Sequence, residues 1–326
     1  MAPLTNFKIS RKNLPQLRTE DFATITNIKH LASYNWLEAP PSKPTIAVPG
    51  SPALWSPPPV PRPLKKDSGL VYIAQNAARH PSCPLEPLFR ALYHTHPSFD
   101  IRDIDIVSDR NNIRRLLSFI DPSTSRNGAE GFSIDVEVTA NTAIFNRNET
   151  KTSEVIGPNE FRGYGHEFEK AYTTTQIPGS TGHHRIISYS FSDLKMMIRY
   201  ETDGYVDTAA NPISSTPKPE DDIASLLDNL SLTPNSSKPK LTVQTIGTRI
   251  SHSNTFEIKT RVRHRTLEFD TIAPQVWISQ TPMLVRTNHD CGTFTTPDVE
   301  VARLGEGESG CVEGVGGVDE GDCEDC

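Results

Sequence analysis

The sequence predicts an α+β fold: a mixed, mainly antiparallel sheet with flanking helices. Three observations predict it. Residues 84–120 carry two stretches with helical apolar spacing, residues 132–200 carry strand pairs closed by short turns, and hairpins rather than strand–helix crossovers join most strands. Of the 326 residues only 35% are apolar and 27 are proline. Part of the chain is therefore expected to stay outside any core.

The opening residues MAPLTNFKISRKNL hold no apolar stretch of secretory type, and no run approaches the ~20 apolar residues that span a bilayer. No membrane association is expected, and the protein is placed in the nucleus or cytoplasm rather than secreted. The triplet Asn148-Glu149-Thr150 is then an unused glycosylation site. Ten prolines fall between Pro40 and Pro63, a density expected to exclude helix and central strand and to favour extended polyproline-like chain. That stretch suits a partner-binding arm or, through Ile46, Val48 and Trp55, a belt across a domain surface. Residues 1–66 are accordingly expected to be an N-terminal extension. Beyond them, Pro84 opens a helix running to Tyr93. Ser108 caps a second one running to Ile120, with Ile113, Leu116, Leu117 and Ile120 on one face.

Strands then dominate. Phe132, Ile134, Val136 and Val138 alternate with polar residues, Asn141 permits a turn, and residues 142–147 return. In a second hairpin Ile187, Tyr189 and Phe191 alternate, Ser192-Asp193 turn, and Leu194, Met196, Ile198 and Tyr200 come back. Between the hairpins, Gly165 to Tyr172 has helical composition. Residues 208–240, rich in Pro, Ser, Asn and Asp, are expected to form a disordered insertion. Its stretch Ile223 to Leu230 is amphipathic but too short to persist as an isolated helix. Segments 241–248, 256–263 and 276–287 close a domain expected to span residues 67–303, and an acidic, glycine-rich tail is expected at 304–326.

The net charge of −7 has to be divided before it is used. The tail holds eight acids (Glu306, Glu308, Glu313, Asp319, Glu320, Asp322, Glu324 and Asp325) and no Lys or Arg; the rest carries 33 basic against 32 acidic side chains. The insertion is also acidic, so the folded part is near neutral with a slight basic excess. The charge total therefore does not exclude a nucleic-acid partner. Three of the five cysteines (Cys311, Cys323, Cys326) lie in the tail, and Cys83 and Cys291 show no zinc or disulfide spacing.

Three acidic motifs carry the chemistry. In Arg199-Tyr-Glu-Thr-Asp203, strand alternation puts Glu201 and Asp203 on one face. In Thr255-Phe-Glu-Ile-Lys-Thr260 it puts Glu257 and Lys259 on one face, with Phe256 and Ile258 on the core-seeking side. Helix 165–172 adds Glu169, with Phe168 inward. Hard cations such as Mg²⁺ or Mn²⁺ take carboxylate oxygens, and two ions ~3.5–4 Å apart stabilise both the attacking and the leaving oxygen of a phosphoryl transfer. A lysine beside a ligand orients the attacking water and offsets developing charge. Taken singly, each motif is more often a solvated strand face; the order G-x-x-x-E, E-x-D, E-x-K is what carries weight. Such pairs are those of a PD-(D/E)XK nuclease-like core.

With that order the chain resembles the DXO family of cap-quality-control decapping nucleases, from about Asp67 to Phe294. Ile106-Val-Ser-Asp-Arg-Asn-Asn-Ile-Arg-Arg-Leu-Leu117 is similar to that family's arginine motif and places Arg110 in its role. Gln275-Val-Trp-Ile-Ser-Gln-Thr-Pro-Met-Leu-Val285 is similar to its glutamine motif, with Gln280 as the glutamine. The resemblance implies a metal-dependent enzyme of RNA 5′ ends that removes incomplete, triphosphate or NAD-type caps, with 5′→3′ exonuclease trimming. It implies Mg²⁺ or Mn²⁺ in a two-ion site held by Glu169, Glu201, Asp203, Glu257 and the Ile258 carbonyl. Lys259, Gln280 and Glu257 would be catalytic, and Arg110 and Arg114 would bind substrate. It further implies a monomer, or a heterodimer with a 5′→3′ exoribonuclease. The chain departs from the family in its long insertion and in passing from Thr295-Thr-Pro-Asp into the tail, where the family continues with a strand and a closing helix.

Two other readings stay open: an RNA-binding relative without catalysis, using Arg110, Arg114 and Arg115, and a DNA-directed nuclease. A geranylgeranyl diphosphate synthase label, carried by chains with closely similar stretches such as SYNWLEAP, is disfavoured. Such synthases need two D-D-x-x-D motifs, and the sole Asp-Asp pair, Asp221-Asp222, is followed by Ile-Ala-Ser. Adjacent His183 and His184 would point to opposite strand faces and so take packing or surface roles. His94 and His96 lack further zinc ligands and are expected to be structural.

Overall fold

The computed structural model describes residues 5–14, 24–59, 61–124, 131–207, 240–265, 271–302 and 312–314. The expected insertion falls almost wholly outside them, as does the tail apart from residues 312–314. Five α-helices form among the described residues: α1 (Gln75–Arg79), α2 (Glu86–Thr95), α3 (Arg110–Ile120), α4 (Gly165–Tyr172) and α5 (Ala273–Ser279). The strands of the N-terminal half are β1 (Ile25–Leu37), β2 (Thr45–Pro49), β3 (Leu54–Trp55), β4 (Gly69–Tyr72), β5 (Ile106–Asp109), β6 (Ile134–Thr139), β7 (Thr142–Arg147) and β8 (Ser153–Ile156). They are followed by β9 (Thr173–Thr174), β10 (Ser180–Phe191), β11 (Leu194–Glu201), β12 (Gly204–Tyr205) and β13 (Thr242–Ile246). The last are β14 (Thr255–Val262), β15 (Met283–Asp290), β16 (Thr293–Phe294), β17 (Asp298–Ala302) and β18 (Val312–Gly314). No described helix is long and apolar enough to cross a membrane.

The first sheet runs β13-β2-β1-β10-β11-β5-β7-β6. Most of its pairings are antiparallel, but β13 with β2, β11 with β5, and β5 with β7 are parallel. The expected hairpins are present as β6–β7 and β10–β11. Their turns pass through positive φ at Ala140, not Asn141, and at Ser192. One face carries Tyr34, Trp36, Ile46, Val48, Ile186 and Met197 and is covered by Leu88, Ala91 and Leu92 of α2. On the other face Ile187, Tyr189, Ile198 and Tyr200 pack under Ile113 and Leu117 of α3 and Ile278 of α5. Ser108, expected to cap α3, ends inside β5, and Asp109 takes the N-cap position.

Residues 25–55, expected to belong to an N-terminal extension, are instead part of the sheets. β1, at 13 residues, pairs along β10 at its centre, and β2 lies between β1 and β13 despite the prolines around it. The prolines flank β2, and only Pro49 lies within it, at its last residue, where the ladder ends. Trp55 of β3 packs edge-on against Phe256 at 5.5 Å and lies 5.9 Å from Tyr172, so it belongs to the core.

The second sheet runs β18-β17-β15-β14-β12-β3-β9, with β16 beside β15. Its core joins Phe168 and Tyr172 of α4 to Phe256, Ile258, Val285 and Phe294. Segment 276–287, expected as one element, is the end of α5, a turn and the start of β15. Val276 of α5 packs on Leu284 while Ile278 packs on the first sheet, so α5 bridges the two sheets. Asp67 fixes the start of α4: its Oδ1 accepts from the Glu167 N–H at 2.9 Å and its own N–H donates to the Gly163 carbonyl at 2.9 Å. In the tail, β18 pairs with β17 at Val301↔Glu313, so residues 312–314 are strand where disorder was expected.

Candidate active site

Glu257 is the centre of the site. On β14 the side chains alternate as expected, with Phe256 and Ile258 in the aromatic core and Glu257 and Lys259 on the opposite face. Glu257 is only 3% exposed, and a carboxylate so buried is tolerable only when paired and hydrogen-bonded. Arg110 Nη1 donates to its Oε2 at 3.0 Å, Lys259 Nζ to its Oε1 at 2.8 Å, and Gln275 Nε2 also to Oε1. Burial alone would raise this carboxyl, but Arg110, followed by Lys259, outweighs burial and holds it below the ordinary value.

Three elements deliver those donors. Arg110 is the first residue of α3, directly after β5, whose parallel pairing to β11 sets Asp109 beside Arg199. Arg199, fully enclosed, grips Asp109 at both oxygens, Nε to Oδ1 at 2.6 Å and Nη2 to Oδ2 at 2.9 Å. Such a bidentate pair fixes direction as well as distance. The Arg110 guanidinium also lies over the Tyr200 ring at 5.5 Å. Gln275 sits in the first turn of α5, the helix wedged between the sheets.

The remaining carboxylates come from the step between the sheets and from α4. Glu201 ends β11, and Thr202-Asp203 carry the chain into β12, so Asp203 is placed by this connection rather than by strand alternation. Asp203 Oδ2 accepts from the Ile258 N–H at 2.6 Å. Loss of water and then the Glu257 charge raise Asp203 to about 7, against Lys259 and that N–H. Glu201 as a residue is exposed, yet its carboxyl lies close against the Gly182 backbone. A Cβ at Gly182 would come within 2.8 Å of its Oε1. Crowding out of water raises it to about 7, opposed by Arg110 and helped by Glu257. Burial, then Asp203, Glu201 and Glu257, push Glu169 well above the carboxylate range.

Gln280, the expected glutamine, does not reach this cluster. It ends α5 in the left-handed conformation at φ 51°, its side chain turns back to the Trp277 carbonyl, and its own carbonyl accepts from His252 Nε2 at 2.6 Å. Gln275 takes the place beside Glu257. Arg114 lines a pocket of about 190 Å³ with Arg110, Arg147, Glu201 and Gln275; Arg147 was not anticipated. Ile258 lines a second cavity of about 610 Å³ together with Glu169 and Asp203. The carboxylates thus stand between two openings. His183 and His184 are both buried, bonded to Asn35 Oδ1 at 2.8 Å and Gln75 Oε1 at 3.0 Å, and His96 donates to the Leu31 carbonyl at 2.9 Å.

Among the described residues no three His, Cys, Asp or Glu side chains form a ready-made metal cage. The donor set nevertheless fits a hard divalent cation. Its side-chain donors are all carboxylate oxygens, and Glu169, Glu201 and Asp203 are all raised by burial and by one another's or Glu257's charge. A cation would relieve that strain on ionisation.

The family model described as "Domain of unknown function (DUF8563)" matches residues 10–306. The chain belongs to this family. A search of curated proteins returns no match. In fold, this DUF8563 member is similar to the crystal structure of S. pombe Rai1. That structure is 11% identical, the match covers 89% of this chain and 78% of that one, and the TM-score is 0.50. The S. pombe Rai1 complex with 3′-FADP gives 11% identity, coverage of 90% and 79%, and a TM-score of 0.51. The expected α+β architecture is that of this chain, and its fold is that of these Rai1 structures.

Proposed function

We propose that this protein is a divalent-metal-dependent hydrolase of RNA 5′ ends that removes incomplete, triphosphate or NAD-type caps and trims 5′→3′. The observation that carries the reading is the arrangement at Glu257: one buried carboxylate held by Arg110, Lys259 and Gln275, beside three further carboxyls that resist ionisation. Binding of 3′-FADP by S. pombe Rai1, which shares the fold, supports a substrate of nucleotide chemistry.

Glu169, Glu201, Asp203 and Glu257 would hold Mg²⁺ or Mn²⁺, with the Ile258 carbonyl as a further oxygen. When bound, the cations supply charge neutralisation on the phosphoryl oxygens and a more acidic water. The protein's own groups do the positioning. Lys259 and Gln275 meet at Glu257 Oε1 and keep further N–H donors for an attacking water. Arg110 spends one nitrogen on Glu257 and retains others for a phosphate oxygen in the pocket it shares with Arg114 and Arg147. Guanidinium and ammonium groups fixed where negative charge develops lower the barrier without reorganising.

The test is purified protein with 5′-triphosphate, unmethylated-cap and NAD-capped RNA, and a matched DNA, in Mg²⁺ or Mn²⁺. Release of a 5′ nucleotide product that falls at least about a hundredfold in Glu257→Ala and Asp203→Ala is expected. RNA binding without turnover would replace this reading with that of a binding protein, and equal cleavage of DNA would remove the RNA assignment.

A further inference from the structure

We infer that Phe161 is the stacking surface for an unpaired nucleobase of the substrate, an assignment that rests on the reading of the cleft as a nucleic-acid hydrolase. Phe161 is 60% exposed, an unusual position for a large apolar ring, and it lines the 610 Å³ cavity that also contains Glu169 and Asp203. The ring is supported rather than loose. Tyr164 meets it edge-to-face at 5.6 Å, and Tyr164 is itself buried against His289 at 4.9 Å. Beneath them, Asp67 ties the Gly163 carbonyl and the first turn of α4.

One cation lies over the ring and others line its cavity, Arg162 also standing 3.9 Å from Glu154. The Lys66 ammonium lies 5.4 Å over its centroid, and the exposed Arg162 and Arg265 line the same cavity. An aromatic plane among cations, opening on the carboxylates, is the combination that holds single-stranded nucleic acid. The cations follow the phosphates, and the ring accepts any base because every base has a π-face. The other pocket differs in kind: it is about 190 Å³, lined by Arg110, Arg114 and Arg147, and suits phosphate rather than a nucleoside. The nucleoside next to the scissile phosphate therefore lies on the Phe161 side, and the phosphate groups on the arginine side.

The experiment compares wild type with Phe161→Ala, Phe161→Leu and Phe161→Tyr on 5′-triphosphate RNA and on the same RNA with its first two nucleotides abasic. Expected are a KM about tenfold higher for the Ala and Leu variants, near-unchanged kcat and melting temperature, recovery in the Tyr variant, and no difference among the proteins on the abasic RNA. An unchanged KM in Phe161→Ala, or full recovery in Phe161→Leu, would overturn the assignment. Separately, Phe161→Trp is titrated with a 5′-phosphorylated pentanucleotide and with its abasic counterpart. Quenching by the first alone, above the signal of Trp36, Trp55 and Trp277, supports stacking, and no quenching refutes it. If no RNA is turned over by wild type while the Trp signal responds, the hydrolase reading fails and the base-binding surface stands.

Discussion

At the scale of single residues, Glu257 and Lys259 were legible because strand alternation depends only on chain geometry: two residues apart on β14 means one face. The glutamine was not. Gln275 and Gln280 lie in one apolar stretch, and which one reaches Glu257 depends on where α5 starts and stops. The helix begins at Ala273 with Pro274 in its first turn, which puts Gln275 over the cleft and leaves Gln280 as the left-handed C-cap. Arg147 was invisible for a related reason, since it reaches the pocket only through the parallel pairing of β5 with β7. The two glutamines should therefore separate cleanly on mutation. Gln275→Ala removes a donor to Glu257 and is expected to lower kcat about tenfold or more, with a smaller change in KM. Gln280→Gly keeps the left-handed backbone that glycine favours and should leave kcat within about twofold. Steady-state kinetics on the best 5′-end substrate decide; equal losses in both variants would return the role to Gln280.

At the scale of elements, hairpins were the readable part of this fold, because local alternation and a short turn specify both partners at once. β1 escaped notice for the opposite reason. Its second half, Leu31 to Leu37, is buried without interruption and so carries no alternating signature. β2 was masked by its prolines, which flank it or end it. The junction that matters for chemistry is β5–α3. It sets Arg110 by clamping Asp109 to Arg199, whose guanidinium also donates to the Pro84 carbonyl at 2.8 Å and to Tyr34 Oη at 3.3 Å. Removing the carboxylate would strand a fully buried cation, an uncompensated charge that costs on the order of 3–5 kcal/mol. Asp109→Ala is therefore expected to lower the urea unfolding free energy by about 3 kcal/mol and, by freeing the start of α3, to reduce activity. Asp109→Asn, which keeps the shape and one acceptor, should lose less of both. A drop of less than about 1 kcal/mol in Asp109→Ala would show that water or another group already satisfies Arg199.

At the scale of the whole molecule, the net charge of −7 says little about the cleft, where acids and bases are packed against each other and the acids around Glu257 are reluctant to ionise. Asp203 and Glu201 stand near 7 in the fold against ordinary values of 3.8 and 4.5. Between those limits the folded chain keeps protons that the unfolded chain has released. A raised carboxyl therefore contributes stability fully below about pH 4, and the contribution fades as pH rises through about 7. Asp203 carries the larger share, because Glu201 retains contact with water at the cleft. A divalent cation competes for the same oxygens, binds the deprotonated carboxylates, and stabilises the folded state by mass action. Two slopes follow. In EDTA, wild type should lose melting temperature between about pH 5.5 and 8 more steeply than the Glu201→Gln/Asp203→Asn variant, which keeps only Glu169 of the three raised carboxyls. Millimolar Mg²⁺ should raise the wild-type melting temperature markedly at about pH 8, little at about pH 5.5, and not at all in the variant. Thermal denaturation across that range reads both. An Mg²⁺ effect equal at the two pH values, or preserved in the variant, would place the cation away from Glu201 and Asp203. A parallel pH slope in the two proteins would mean that these carboxyls are already ionised in the fold.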